Sequence, residues 1–229
     1  MSKTVPMNII AHIRSDFPEK FGIPRQSGLV NELKADIIFE PEYRNPESLR
    51  GLDGYSHIWL LWQFSEAVRG DWKPTVRPPR LGGNKRMGVF ATRSPFRPNA
   101  IGLSCVRLEG IDLHTADGPV IHICGADLMD NSPIFDIKPY LPYADSYPDA
   151  DSGFSAQTER NILKVDFPPQ LLAHIPESRR AALLGILAQD PRPSYQSDSL
   201  RIYKLSFAGF NVHFTVSEST LTVTKVEKL

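Results

Sequence analysis

A chain of 229 residues with 41% hydrophobic and 23% charged side chains can bury a full core, in one large domain or two modest ones. Its 26 basic and 26 acidic residues cancel, so net charge does not announce a nucleic-acid partner. No run approaches the roughly 18 apolar residues of a membrane span, and MSKTVPMNIIAHIRSDF lacks the apolar stretch and cleavage site of a secretory signal, so a cytoplasmic protein with no membrane partner is expected.

In chain order, residues 9–13, 35–39, 55–64, 87–92, 101–108 and 120–124 read as short strands, being apolar or alternating and rich in β-branched and aromatic side chains. Glycines and prolines punctuate them, as at Gly22, Pro24 and Gly28, and at Pro74, Pro78 and Pro79. Strands at this spacing without long helices predict a mainly β fold, a barrel or sandwich, for residues 1–150. Cys105 and Cys124 each lie in an apolar run and read as core residues of a reducing compartment, a disulfide being the weaker alternative.

Residues 145–157 are polar and aperiodic, a linker by composition. Beyond them the texture changes to a small α+β unit, residues 151–229. Residues 168–174 predict a helical turn. Pro176 opens a helix whose stripe is Leu183, Leu184 and Leu187. Three closing runs, 200–207, 210–216 and 220–226, read as strands joined at Ala208-Gly209 and Glu218-Ser219.

Common nucleotide signatures are missing. No G-x-G and no G-x-x-x-x-G-K-[ST] occurs, and the six histidines never fall at metal-ligand spacing, so no metal is expected. Three segments carry the polar chemistry instead. FGIPRQSGLV (21–30) presents Arg25, Gln26 and Ser27 between glycines that let a ligand approach the backbone, or is an ordinary turn. RPPRLGGNKRMGVFATRSPFRPNAIG (77–102) holds arginines on proline-stiffened loops, which suits phosphate or carboxylate recognition. DLMDNSPIFDIKPYLPY (127–143) gathers three carboxylates, an amide, a lysine and two tyrosines, although Asp130 and Asn131 also suit a plain turn.

These stretches, with RGLDGYSHIWLL and DIKPYLPYADSYPDA, closely resemble the TsaA-like family over residues 7–150, and LLGILAQDPRPSY and FNVHF extend the likeness more weakly. The resemblance implies a β-barrel that binds S-adenosylmethionine near a homodimer interface. It also implies methylation of N6 of threonylcarbamoyl-adenosine at position 37, beside the anticodon of threonine tRNA. Carried over, the cofactor positions are Gln26, Ser27, Gly28, Ser65, Glu66, Arg93, Leu103, Asp130, Asn131, Ser132 and Pro133. The density of acceptors makes Asp130 or Asp136 the expected acceptor of the N6 proton, with Tyr140 orienting the base. Arg77, Arg80, Lys85, Arg86 and Arg97 are expected to grip the anticodon stem-loop. The alternative is a regulatory protein that binds S-adenosylmethionine or RNA without catalysis.

Overall fold

Alternating inward apolar and outward polar residues build the first half of the chain from strands β1 (Ala11–Arg14), β2 (Lys34–Phe39), β3 (His57–Gln63), β4 (Thr75–Val76), β5 (Met87–Gly88), β6 (Ile101–Thr115), β7 (Gly118–Cys124) and β8 (Pro133–Pro139). The structure is a computed structural model that describes residues 4–68, 70–78, 85–157, 162–193, 196 and 198–229. Six of these strands close a barrel in the order β1-β2-β7-β6-β3-β8, each neighbouring pair antiparallel. In β3, Ile58, Leu60 and Trp62 are buried inside while Trp59 and Leu61 are half-exposed outside, the period-two pattern of a strand with one wet face. Ile13, Ile37, Ile121, Ile123 and Ile134 complete the barrel core.

The mainly β fold matches the sequence expectation, with three local differences. Residues 87–92 were expected as one strand. Only Met87–Gly88 pairs, with Thr75–Val76, and a 3-10 turn at Val89–Ala91 ends this two-stranded ribbon. Pro133–Pro139, part of a segment noted only for its polar groups, is the strand that closes the barrel between β3 and β1. Cys124 is buried as expected, but Cys105 is half-buried on the outer wall, and both thiols are free.

A short helix, α1 (Pro142–Asp145), leads out of the barrel. The rest of the chain adds β9 (Lys164–Asp166), α2 (Pro169–Leu172), α3 (Glu177–Ala188), β10 (Tyr203–Phe207), β11 (Phe210–Ser217) and β12 (Thr220–Lys228). The sheet order is β10-β11-β12-β9, with β9 parallel to β12. Ala208 and Gly209 both take positive φ in the β10–β11 hairpin, as a tight primed turn requires. Helix α3 buries Ala182, Leu183, Ile186 and Leu187. The expected stripe was shifted, because Leu184 is only half-buried.

The second core is not made by the second half alone. Phe17, Val30 and Leu33, from the β1–β2 connection, are buried in the same cluster as Leu183, Leu205, Phe207 and Phe214. The Phe17 and Phe207 rings lie 5.3 Å apart. A Cβ on Gly22, which has φ +92°, would meet Leu205 Cδ1 at 2.1 Å. Asp16 pairs with Arg179 of α3 at 3.1 Å, and its backbone carbonyl accepts from Ala208 N at 2.9 Å. Burial pushes the Asp16 carboxyl up, and Arg179 pulls it back only partly. Each fully buried apolar side chain contributes roughly 1.5–3 kcal/mol, so Phe17, Val30 and Leu33 together fix this connection onto the carboxyl-terminal sheet.

Candidate functional site

Antiparallel closure decides where the polar segments meet. β1, β3 and β7 finish, and β2, β6 and β8 begin, at the same end of the barrel. Connections 15–33, 64–100 and 125–132 therefore all emerge there, and they contain every residue of the expected cofactor set except Leu103, the third residue of β6, and Pro133, the first of β8.

The first and third connections are joined backbone to backbone. Gly28 N donates to Gly125 O at 2.8 Å, and Gly125 N donates to Leu33 O at 2.8 Å. Both glycines have positive φ, and a Cβ on Gly125 would stand 3.3 Å from Gly28 N. A Cβ on Gly28 would meet nothing within 4 Å, so the loop offers an open backbone face. Beside it Arg93 Nη1 donates to Gln26 Oε1, joining the arginine loop to the first.

Under this junction lies Asp127. Its carboxylate accepts from Ser104 Oγ at 2.5 Å and from the Ser27 backbone N–H. Ser104, wholly buried, accepts in turn from Trp62 Nε1 at 2.9 Å. An indole N–H only donates, so the direction of the chain is set: Trp62 to Ser104 to Asp127. Burial raises the Asp127 pKa to about 6, against the pull of hydrogen bonds from Ser104, its own backbone N–H and Ser27, and of the Arg93 charge. Asp127, Ser104 and Trp62 were absent from the expected site. The available signal was a serine on the inward register of β6, between Gly102 and Val106, where a buried hydroxyl needs a polar partner.

Asp130 and Asn131 are held by β1. Asp130 accepts from Ser15 N at 2.9 Å and from Asn131 Nδ2 at 3.0 Å, and Asn131 takes φ +61° while its N–H reaches Ile13 O. Ser132 is buried, its hydroxyl on Met129 O at 2.7 Å. Asp130 and Asn131 border a cavity of about 330 Å³ lined also by His12, Arg14, Glu40 and Arg44. Its size is that of a small ligand pocket. Ser65 and Glu66 occupy a 3-10 turn just after β3, with Glu66 on Lys20 at 3.1 Å. Leu103 is 52% exposed on the outer face, one residue from Ser104.

Tyr140 is not brought to this end, whereas Asp136 stands on the same outer rung as Leu61 and Leu103. Asp136 lies on the outer wall opposite Leu61, paired with Lys138 at 2.9 Å. Tyr140 packs on His57 and Trp59 at the far end of β8, about 20 Å of strand from Pro133. Trp59 Nε1 donates to Asp145, whose carboxyl is held down chiefly by Leu141 N and then by that indole.

Of the expected RNA-binding residues, Arg77, Lys85 and Arg86 stand beyond the paired rungs of the β4–β5 ribbon and are exposed. Arg86 Nη1 reaches Thr75 Oγ1 at 2.9 Å, and Arg97 Nη1 reaches Thr92 O at 3.1 Å. Arg80 lies outside the described residues. No group of three or more possible metal ligands occurs among the described residues.

The family model for the tRNA-methyltransferase O N-terminal domain matches residues 12–146, and that for the TrmO C-terminal domain matches residues 160–229. The chain belongs to the tRNA-methyltransferase O family. It is 41% identical to the tRNA (adenine(37)-N6)-methyltransferase of Escherichia coli K12, over 95% of this chain and 96% of that one. A Pseudomonas aeruginosa relative, whose name places it among S-adenosylmethionine-dependent methyltransferases, is 40% identical over 90% of each chain. A crystal structure of TrmO from Pseudomonas aeruginosa superposes with a TM-score of 0.77 at 34% identity, covering 98% of this chain and 100% of that one.

Proposed function

We propose that this chain is an S-adenosylmethionine-dependent methyltransferase acting on N6 of adenine 37 in tRNA. Its substrate in this proposal is threonylcarbamoyl-adenosine of threonine tRNA, and it works as a cytoplasmic homodimer. One observation carries the proposal: in a chain of the tRNA-methyltransferase O family, the three polar connections converge on a single end of the barrel.

The residues there fit the cofactor. A cationic ligand with an adenosine and an amino-acid end asks for carboxylates, an anion-binding group, an accessible backbone and an apolar surface. Asp130 and Glu66, Arg93 with Gln26, the open face of Gly28 and exposed Leu103 supply these in turn. Gln26, Ser27, Gly28, Ser65, Glu66, Arg93, Leu103, Asp130, Asn131, Ser132 and Pro133 would hold S-adenosylmethionine, which supplies an electrophilic methyl group when bound.

The chain's own part is alignment and proton transfer. The adenine N6 lone pair is delocalised into the ring, so the barrier falls chiefly by fixing N6 on the line of attack. As N6 gains its methyl group it becomes positive and must lose a proton. Asp130 is the acceptor in this scheme, because of the three expected catalytic residues it alone lies in one of the converging connections. Two of its acceptor sites are taken by Ser15 and Asn131, and a carboxylate has about four. The proton then passes to solvent through the partly exposed loop. Tyr140, at the far end of β8, has no part in this scheme, and Asp136 is paired with Lys138 on the outer wall.

RNA is gripped by Arg77, Lys85, Arg86 and Arg97 through phosphates. If about four phosphates are neutralised, tRNA affinity falls about fifty-fold between about 50 and 200 mM salt. Filter binding across that range checks this, and a flat profile would contradict it. The activity itself is tested by incubating the protein with methyl-labelled cofactor and tRNA with or without the threonylcarbamoyl group. Label is expected in the modified tRNA. Cofactor and tRNA binding without transfer would point instead to a regulatory binding protein.

A further inference from the structure

Asp127 poses a question that hydrogen bonding alone does not answer. Its donors, Ser104 Oγ, its own backbone N–H and Ser27 N, would be satisfied equally by the oxygen of a neutral amide. A carboxylate is costlier to bury than an amide, so a charge at this point needs a counterpart. Among the described residues the charged group acting on it is Arg93, which is held by Gln26. The other groups around it, Ser27, Ser104 and Trp62, are neutral. Asp127 thus touches all three parts of the loop end: the first loop through Ser27, the arginine loop through the charge of Arg93, and the barrel core through Ser104 and Trp62.

We infer that Asp127 is a positioning residue for the cofactor: its carboxylate, anchored by Ser104 to the barrel, holds the Ser27 backbone and Arg93 in the arrangement that receives S-adenosylmethionine. The inference rests on the cofactor proposed above and adds the residue that organises its site. It follows that binding needs the ionised form. Affinity should be full above about pH 6 and decline below it, since the fold raises the Asp127 pKa to about that value. The sign for folding is the opposite. A carboxyl whose pKa is raised in the fold binds its proton more tightly there than in the unfolded chain, so protonating Asp127 favours the folded state. Loss of cofactor affinity in acid is therefore not loss of fold through this group.

The test is calorimetric titration of the full chain with S-adenosylmethionine from pH 5 to 8, alongside melting curves without ligand. Asp127→Asn should weaken binding about ten-fold at pH 7.5, the effect of losing a charge-assisted contact, and should abolish the acidic decline. Ser104→Ala keeps the charge but removes the hydrogen bond that most opposes the rise in pKa. It should weaken binding about three-fold and move the decline to higher pH. That shift is one a merely structural role would not produce, and it is read even if Asp127→Asn folds poorly. Wild-type binding with both variants within two-fold and the same acidic decline would overturn the inference alone. A wild-type chain that does not bind S-adenosylmethionine would overturn the proposed function and this inference with it.

Discussion

Replacing Gly102 by alanine is expected to lower the melting temperature by about ten degrees, the result of roughly 3 kcal/mol of overpacking in a domain of this size. Gly102 faces the barrel interior on β6, and a Cβ there would lie 2.2 Å from Trp62 Cε2 and 2.6 Å from its Cζ2 and Nε1. The indole has little room to retreat, because Phe64 stands 4.2 Å away between ring centroids and Nε1 is bonded to Ser104. Any tilt that clears the methyl group breaks that bond and disturbs the chain to Asp127. Gly110 on the same strand provides the control, since a Cβ there meets nothing within 4 Å, and Gly110→Ala should melt with the wild type. Trimming the indole with Trp62→Phe in the Gly102→Ala background should recover part of the loss, a coupling expected only of residues in contact. Thermal melts of the four proteins decide it. Equal melting of Gly102→Ala and wild type would mean that Trp62 does not pack as described.

The second large effect falls on activity. Arg93→Ala should reduce kcat/KM for the cofactor by about ten- to a hundred-fold, the usual cost of a lost hydrogen bond to a charged group. Arg93 is exposed and contributes little to the fold, so its melting curve should be unchanged. Its guanidinium donates to Gln26 and its charge acts on Asp127, which makes it the link between the arginine loop and the other two. Two further variants separate this account from loss of charge alone. Arg93→Lys keeps the charge without the planar fork and should recover only part of the activity. Adding Gln26→Ala to Arg93→Ala should cost little more than either change singly, because the two act as one contact. A two-fold effect of Arg93→Ala would remove it from the site.

Much of the barrel was legible because period-two alternation survives wherever one face is wet. Ile58, Leu60 and Trp62 announce their inward register without any tertiary information. β8 was obscured for the same physical reason: its outer face carries Asp136 and Lys138 and prolines stand at both ends, so a barrel strand resembled a polar loop. The ribbon at Met87–Gly88 fell short of its expected length because a two-stranded pair has no second neighbour to extend it.

The site divides in a similar way. Gln26, Arg93 and Asp130 stood out by residue type and by family resemblance, and the topology explains why they share one end of the barrel. Asp127 did not stand out from the carboxylates around it. What distinguishes it is burial beneath Ser27 and above Ser104, which exists only after the three connections have met. Phe17, Val30 and Leu33 were equally hidden: linear order assigns them to the barrel half, whereas packing assigns them to the carboxyl-terminal core.

The proposed reaction places a methyl group on one atom of one nucleoside. Threonine tRNA incubated with the protein and S-adenosylmethionine, digested and analysed by tandem mass spectrometry, addresses it directly. The expected product carries a single added methyl group, on N6 of the adenosine at position 37. An unmethylated position 37, or a methyl group on any other atom, would contradict it.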